Sequence, residues 1–327
     1  MTVNWPGFAE IVHGSQEFIL TSHIRPDCDA LGSALGMALI LEKLGKQTQV
    51  VMGQSTPPNL AFIDPDHRVK TIGKEVQLGE LVDADVHMVL DTSAWAQLGD
   101  MGDVIRATTA RKIIVDHHIG EDDLGAEHFK NTSAEATARL VVEAADALDV
   151  ELTAAMATPL YAGLATDTGW FRFPSTSPNT YLIASRLVAA GAVPNDIYSK
   201  LYERDSAGRV RLRGLILSRI QMELDGRLVH TYVNGTDYEA TGSLPTDTED
   251  VINLTLGVAG TEAAVIFVGQ PEGGFKLSFR SRCQMDCSQV AEKFSGGGHK
   301  AAAGAFINGS LDEIREPVLA AVRQAMG

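Results

Sequence analysis

The chain has 327 residues, 45% hydrophobic and 21% charged, with a net charge of −15. That length holds one large or two ordinary domains with ample core, and the composition is globular rather than disordered. The acidic balance argues against a broad basic surface for long nucleic acid, yet it leaves room for a small anionic substrate held by metals and a few arginines.

No apolar run approaches the ~18 to 20 residues needed to span a bilayer. The opening MTVNWPGFAE shows no basic region followed by an apolar stretch, so no signal peptide is expected. Three cysteines, Cys28, Cys283 and Cys287, are too few and too unevenly spaced for a disulfide framework, which makes a reducing, cytoplasmic setting the expectation.

In chain order, residues 6–14 predict a short helix and 17–22 a strand ending at His23. Residues 29–44 predict a helix closed by Gly45, with Asp29 as a candidate N-cap. Strands follow at 47–52 (QTQVVM), 86–90 (VHMVL, ending in Asp91) and 111–115 (RKIIV, ending in Asp116-His117-His118). Helices are expected over 134–148 and near 153–165, the second delivering Asp167. Apolar strands alternating with helices predict an α/β fold with a parallel sheet covered on both faces. Ligands of such sheets bind outside the carboxyl ends of the strands. His23, Asp91 and the Asp116-His117-His118 cluster each stand directly after a predicted strand, so three strands deliver polar groups to one edge.

From about residue 178 the pattern turns helical: SPNTYLIASRLVAAG, PNDIYSKLYE and SAGRVRLRGLILSRIQM. A second unit begins near 226 with a strand, RLVHTYV, and a helix, TEDVINLTLG. Two apolar runs flanking Pro-Glu-Gly-Gly then predict a β-hairpin. A glycine-alanine stretch, SGGGHKAAAGAFING, precedes a helix at 311–325.

Each acidic or imidazole group has an ordinary explanation alone. Asp27-Cys28-Asp29 is a helix start, Asp91 a loop carboxylate, and paired histidines satisfy core hydrogen bonds. Together, carboxylates crowded on one edge repel unless something positive sits among them, and two divalent cations offset that repulsion. Mixed carboxylate and imidazole ligation suits manganese or a similar octahedral ion better than structural zinc. In the second unit Arg280 and Arg282, two apart on a strand, share a face and match phosphate oxygens. Gly296, Gly297 and Gly298 can bring backbone N–H groups to an anion. A solvated strand face and a flexible turn are the alternatives. Trp170, Phe171 and Phe173 are candidates for stacking on a nucleobase, or core.

The ordered segments HIRPDCDALGS, VLDTS, VDHHIG and ATDTGWFRF resemble the four signatures of the DHH phosphoesterase superfamily. LSFRSR and SGGGHKAAAGAF resemble the DHH-associated domain of its RecJ-like branch, and the whole is most similar to the NrnA-type nanoRNases. The resemblance implies a DHH catalytic domain over 1–190, a helical linker over 191–225 and a smaller α/β substrate-binding domain over 226–327. It implies that His23 and Asp27 hold one metal, that Asp29, His117 and Asp167 hold a second, and that Asp91 bridges both. Two divalent cations are implied, Mn2+ first, with Mg2+ or Co2+ as substitutes. His118 would face the scissile phosphate, and Asp116 would fix imidazole orientation. Arg280, Arg282, Gly297, Gly298 and His299 would bind the substrate. One departure is the glycine run before His299, one residue shorter than usual, with Ser295 at its start.

The expected activity is hydrolysis of short oligonucleotides, and of 3′-phosphoadenosine 5′-phosphate to AMP. The close alternative is a cyclic di-AMP or linear pApA phosphodiesterase; the distant one is a nucleotide-binding regulator without catalysis. A homodimer and a hinge between the domains are further implications.

Overall fold

Six strands, all paired in parallel, form the sheet of the first unit. The computed structural model describes residues 3–327 and divides the chain into Met1–Glu203 and Arg204–Gly327. The first unit runs α1 (Trp5–Gly14), β1 (Glu17–Thr21), α2 (Cys28–Lys43), β2 (Gln47–Met52), β3 (Val69–Thr71), β4 (Val86–Leu90), α3 (Met101–Ala107), β5 (Arg111–Asp116) and β6 (Glu127–Lys130). It ends with α4 (Thr137–Ala147), α5 (Ala154–Asp167), α6 (Pro178–Ala189) and α7 (Pro194–Tyr202). The strand order is β3-β2-β1-β4-β5-β6, so the order reverses between β1 and β4. A doubly wound sheet binds its ligand at that reversal.

Alternate side chains of the strands go to opposite cores. Phe18 and Leu20 face α1, α2, α4 and α5, whereas Ile19 packs with Val51, Met101 and Val104 on the other face. Both faces are covered, as the continuous apolar strands require. Helix α2 is buried over nearly its whole length because two glycines admit α5. A Cβ at Gly32 would collide with the Pro159 carbonyl, and one at Gly163 would lie 2.7 Å from Asp29 Oδ1. Glycine-mediated contact thus fixes α5, and its terminal Asp167, beside Asp29.

The second unit runs α8 (Ala207–Ser218), β7 (Gln221–Glu223), β8 (Leu228–Val233), α9 (Gly235–Thr241), α10 (Val251–Thr255), β9 (Ala263–Gly269), β10 (Phe275–Ser281), α11 (Cys287–Glu292), β11 (Gly297–His299), β12 (Ala302–Ile307) and α12 (Leu311–Met326). Its sheet has the order β11-β12-β10-β9-β8-β7, with β8 and β9 parallel and the other neighbours antiparallel. Phe275, Leu277 and Phe279 pack with α11 and α12, while Ala264, Ile266 and Val268 pack with α8, α9 and α10.

Several boundaries differ from expectation for identifiable reasons. Asp27, not Asp29, is the N-cap of α2, accepting from the backbone N–H of Asp29 and Ala30 at 3.0 Å each. Helix α4 starts at Thr137 rather than 134, after an extended Ala136. The helix expected to run to 222 stops at Ser218, and Gln221 joins β7. The helix expected from 248 is confined to α10. The glycine-alanine stretch is not a flexible turn: it forms the antiparallel pair β11–β12. Within 191–225, α7 belongs to the first unit and α8 with β7 to the second.

Candidate metal centre

The reversal between β1 and β4 places the ends of β1, β4 and β5 side by side. His23 follows β1, and its Nδ1 lies 2.9 Å from the Ile24 carbonyl oxygen. With Nδ1–H donating there, Nε2 is left 3.4 Å from Asp91 Oδ2 and 3.8 Å from Asp27 Oδ1. His117 repeats the pattern. Its Nδ1 is 3.2 Å from the Ala134 carbonyl, and Nε2 points at Asp167 Oδ2 (3.3 Å) and Asp91 Oδ1 (3.5 Å). That Nε2 is buried and has no hydrogen-bond partner. A backbone carbonyl fixing one ring nitrogen while the other faces carboxylates is the arrangement of a metal-ligating imidazole.

Asp91 stands at the centre, 2% exposed, in left-handed backbone at φ 61°. A non-glycine residue held in that conformation costs of order 1–3 kcal/mol, and such strain concentrates at functional sites. Its backbone N–H donates to the Val115 carbonyl, and its Oδ1 accepts from Thr137 Oγ1 at 2.9 Å. Asp29, fully buried on α2, caps a different helix from its own. Its Oδ2 accepts from Thr137 N at 2.6 Å and its Oδ1 from Ala138 N at 2.9 Å. The first turn of α4 therefore braces both central carboxylates.

Three sets of side chains bring one ligand atom each within 4.8 Å of one another: His23, Asp27 and Asp91; Asp29, His117 and Asp167; and Asp91, His117 and His118. Among the described residues this edge is crowded with negative charge. Burial pushes the Asp29 carboxyl well above the usual range, and the charges of Asp91 and Asp167 add to it. Burial likewise raises Asp167. Burial pulls the His23 imidazole down, but the hydrogen bond and charge of Asp91 outweigh it and raise the pKa to about 9. For His117 burial is again opposed, by Asp167 and Asp91, and the pKa is also raised to about 9. His117 Nε2 thus faces two carboxylates at ion-pair distance without a well-formed hydrogen bond to either. The donor set fits divalent metal ions.

His118 differs from His117. Its side chain is 54% exposed. Its Nδ1 lies 2.8 Å from Asp116 Oδ1, so Nδ1–H donates to the carboxylate and Nε2 is turned outward. The Asp116 hydrogen bond raises His118. Burial would raise Asp116, but hydrogen bonds from His118 and Ser93 hold it down at about 2. Ser93 Oγ donates to Asp116 Oδ2 at 2.8 Å, and Lys130 Nζ lies 3.3 Å from the same oxygen. Among the described residues Asp116 touches no other imidazole, so it orients His118 alone.

In the second unit, antiparallel register sets Arg280 opposite Ala302 and Ala302 opposite His299. The next row on that face is Ser278, Gly304 and Gly297. Arg280, His299 and Gly297 therefore share one face, since directly opposed residues point the same way. Gly298, at φ 147°, alternates to the other face. Arg282 falls beyond the end of β10, and its Nη1 donates to the Leu256 carbonyl at 3.0 Å. Ser295 adopts a left-handed φ of 58°, a conformation glycine takes without strain. Trp170 packs edge-on against Tyr161, Tyr198 and Tyr202, and Phe171 stacks on Tyr181; only Phe173 of the three aromatic candidates is largely exposed.

Sequence reasoning did not find Thr137, Ser93 or Lys130. Lys130 lies on an unpredicted strand and Thr137 at an unpredicted helix start, so neither carries a sequence signal; Ser93 lies inside VLDTS, where only the fold brings it to Asp116.

The chain matches two family models, "DHH family, N-terminal domain" over residues 17–164 and "DHHA1 domain" over residues 226–326. The Thermus thermophilus protein named bifunctional oligoribonuclease and PAP phosphatase NrnA is 32% identical over 309 residues, spanning 94% of this chain and 89% of the relative. The Bacillus subtilis protein of the same name is 27% identical, over 88% of each chain. The crystal structure of an exopolyphosphatase-related protein from Bacteroides fragilis aligns at a TM-score of 0.83 and 26% identity, covering 98% of this chain and 95% of that one. Exonuclease RecJ bound to manganese shares the fold, at a TM-score of 0.56 and 12% identity, over 99% of this chain and 96% of that one.

Relatives matched over most of the chain and named oligoribonuclease and phosphatase mark it as a hydrolytic enzyme. The chain belongs to the DHH family and is of its NrnA type. Among the described residues no helix is long and apolar enough to cross a membrane.

Proposed function

We propose that this chain is a two-metal phosphoesterase. It hydrolyses short oligoribonucleotides, dinucleotides among them, to 5′-mononucleotides, and converts 3′-phosphoadenosine 5′-phosphate to AMP. The names of its NrnA relatives support this reading. The observation that carries it is the sharing of Asp91 between ligand sets that also draw on His23, Asp27 and His117. His23 and Asp27 would hold one ion and Asp29, His117 and Asp167 the other, with Asp91 placed to serve both. The carboxylate and imidazole donors suit Mn2+, with Mg2+ and Co2+ as alternatives. Bound there, the two ions supply Lewis acidity and an activated water near neutral pH.

The chain's own groups do the rest. In both substrates the bond that breaks joins phosphorus to a 3′-oxygen. The water oxygen stays on phosphorus, and the 3′-oxygen leaves with a proton. His118 is suited to supply that proton or to steady the phosphoryl oxygens, because Asp116 occupies Nδ1 and directs Nε2 outward. The first unit is the catalytic domain and the second the substrate-binding one, where Arg280 and His299 grip phosphate over the side-chain-free Gly297. Arg282 contributes with the guanidinium hydrogens that Leu256 leaves free. All three cysteines are free, in keeping with a cytoplasmic setting.

The test is a side-by-side assay with Mn2+ on a dinucleotide, 3′-phosphoadenosine 5′-phosphate and cyclic di-AMP. Turnover of the first two is expected. No turnover of any substrate would overturn the enzyme reading and leave a nucleotide-binding regulator; turnover of cyclic di-AMP alone would move the substrate assignment to cyclic dinucleotides.

A further inference from the structure

Lys130 is the last residue of β6, an edge strand, and parallel register sets it beside Asp116 of β5. Lysines on edge strands commonly turn to solvent and guard the edge against another chain. This one turns inward, and its side chain is only 9% exposed. A buried ammonium is costly unless its protons are met. Nζ donates to Ser93 Oγ at 2.8 Å and to the Gly120 carbonyl at 3.0 Å, and it lies 3.3 Å from Asp116 Oδ2. Glu121 Oε2 stands 3.5 Å away. The ammonium therefore ties the loop after β4, the end of β5 and the loop after β5 to one point.

These contacts decide where the Ser93 proton goes. A hydroxyl carries one proton, and Ser93 Oγ has two acceptors at 2.8 Å, Asp116 Oδ2 and the Gly120 carbonyl. Lys130 serves the carbonyl and also donates to Oγ, so the hydroxyl proton is left for Asp116. Oδ2 is then held by a hydroxyl and an ammonium, while Oδ1 accepts from the backbone N–H of His118 at 3.0 Å and from its Nδ1 at 2.8 Å. The carboxylate is fully buried, and with both oxygens engaged it is not free to rotate away from the imidazole. Gly120, two residues beyond His118, is tied down by the same ammonium, whereas the side chain of Ile119 is 86% exposed and anchors nothing.

We propose that Lys130 is a positioning residue for phosphoester hydrolysis. Through Asp116 and Gly120 it fixes the direction in which His118 presents Nε2. Lys130 belongs to none of the candidate ligand sets, so it acts through the His118 ring and not through the metals. The inference rests on the phosphoesterase reading for the reaction that His118 serves; the placement of the ring by Lys130 does not.

Kinetics and a double-mutant cycle test it. Lys130→Met, close in length but uncharged, is expected to lower kcat by about 10- to 100-fold, the usual cost of removing a contact behind a functional group. KM and Mn2+ affinity should stay nearly unchanged. In a His118→Asn chain the same substitution should cost nothing further, because a residue acting through the ring has no ring left to act on. An undiminished loss there would make Lys130 a structural brace and overturn the proposal, as would unchanged kcat in folded Lys130→Met. Breaking a buried ion pair can unfold a chain, so Lys130→Arg is the second variant. It keeps the charge but replaces a point ammonium by a planar fork, and it should lose kcat several-fold, again only when His118 is present. A readout without turnover is the Nδ1 proton of His118, followed by NMR of the 15N-histidine-labelled chain in chelator and assigned by its absence from His118→Asn. It should exchange about tenfold faster in the Lys130 variants, the worth of one hydrogen bond. Equal exchange would overturn the positioning role whatever the activity. If no phosphoester is hydrolysed yet exchange quickens as expected, the phosphoesterase reading fails and the placement of His118 by Lys130 stands.

Discussion

The carboxylate cluster of the first unit and the cationic row of the second treat charge in opposite ways. Asp29 and Asp91 are buried, braced by the first turn of α4, and in Asp91 the backbone itself is forced into a left-handed conformation. Lys276 and Arg280 stand on a regular strand with, among the described residues, no carboxylate within 4.0 Å. On the two-ion reading, the cluster would hold two like charges a few ångströms apart, which calls for support from every side. Groups that grip a variable substrate can wait for it, and the ligand then bears the cost of ordering them. A substitution in the cluster should therefore change the chemical step or the metal, and one in the row should change affinity alone.

The sharpest separation comes from His118→Asn. It should lower kcat by about 10²- to 10⁴-fold, the usual contribution of a positioned proton donor, and leave KM nearly unchanged. A KM effect without a kcat effect would move His118 to the substrate side. Arg280→Ala should do the reverse, raising KM roughly 10- to 100-fold through loss of a charge-assisted contact while kcat holds. A matching fall in kcat would break the comparison. Thr137→Val, isosteric but lacking the hydroxyl that holds Asp91, should weaken Mn2+ binding by about 10- to 100-fold, as loss of a ligand's supporting hydrogen bond does. Thr137→Ser should restore it, and equal affinities for all three would show that α4 does not position the site.

The smallest effect is a pH slope. In the metal-free chain His23 and His117 titrate at about 9, against 6.5 when unfolded. Folding then favours their protonated forms, so the stabilisation is complete below pH 6.5 and is lost as pH rises through 9. The melting temperature in chelator should fall across that window, and saturating Mn2+, which replaces the protons, should flatten the slope. A melting temperature that rises over the same window would contradict the electrostatic reading.

Much of the first unit was legible in the sequence because continuous apolar strands end abruptly in polar groups. QTQVVM and VHMVL form strands at the predicted residues, and the sheet brings His23, Asp91 and His117 together. What stayed hidden has local causes. Strands β3 and β6 are short and carry charged residues, so no apolar run marks them. Asp27 and Asp29 both suit a helix start, and only the fold shows that Asp29 serves α4 instead of α2. Small residues at 295–305 have no hydrophobic period, which concealed the β11–β12 pairing. Arg282 has the spacing of a strand partner to Arg280, but β10 ends one residue too soon.

Whether Asp91 joins two ions into one centre is read most directly by Mn2+ titration of the unaltered chain and of Asp91→Ala. The unaltered chain should bind two ions per chain, and the variant, still folded by circular dichroism, should bind neither tightly. Two tightly bound ions, or full activity, in folded Asp91→Ala would contradict a shared centre.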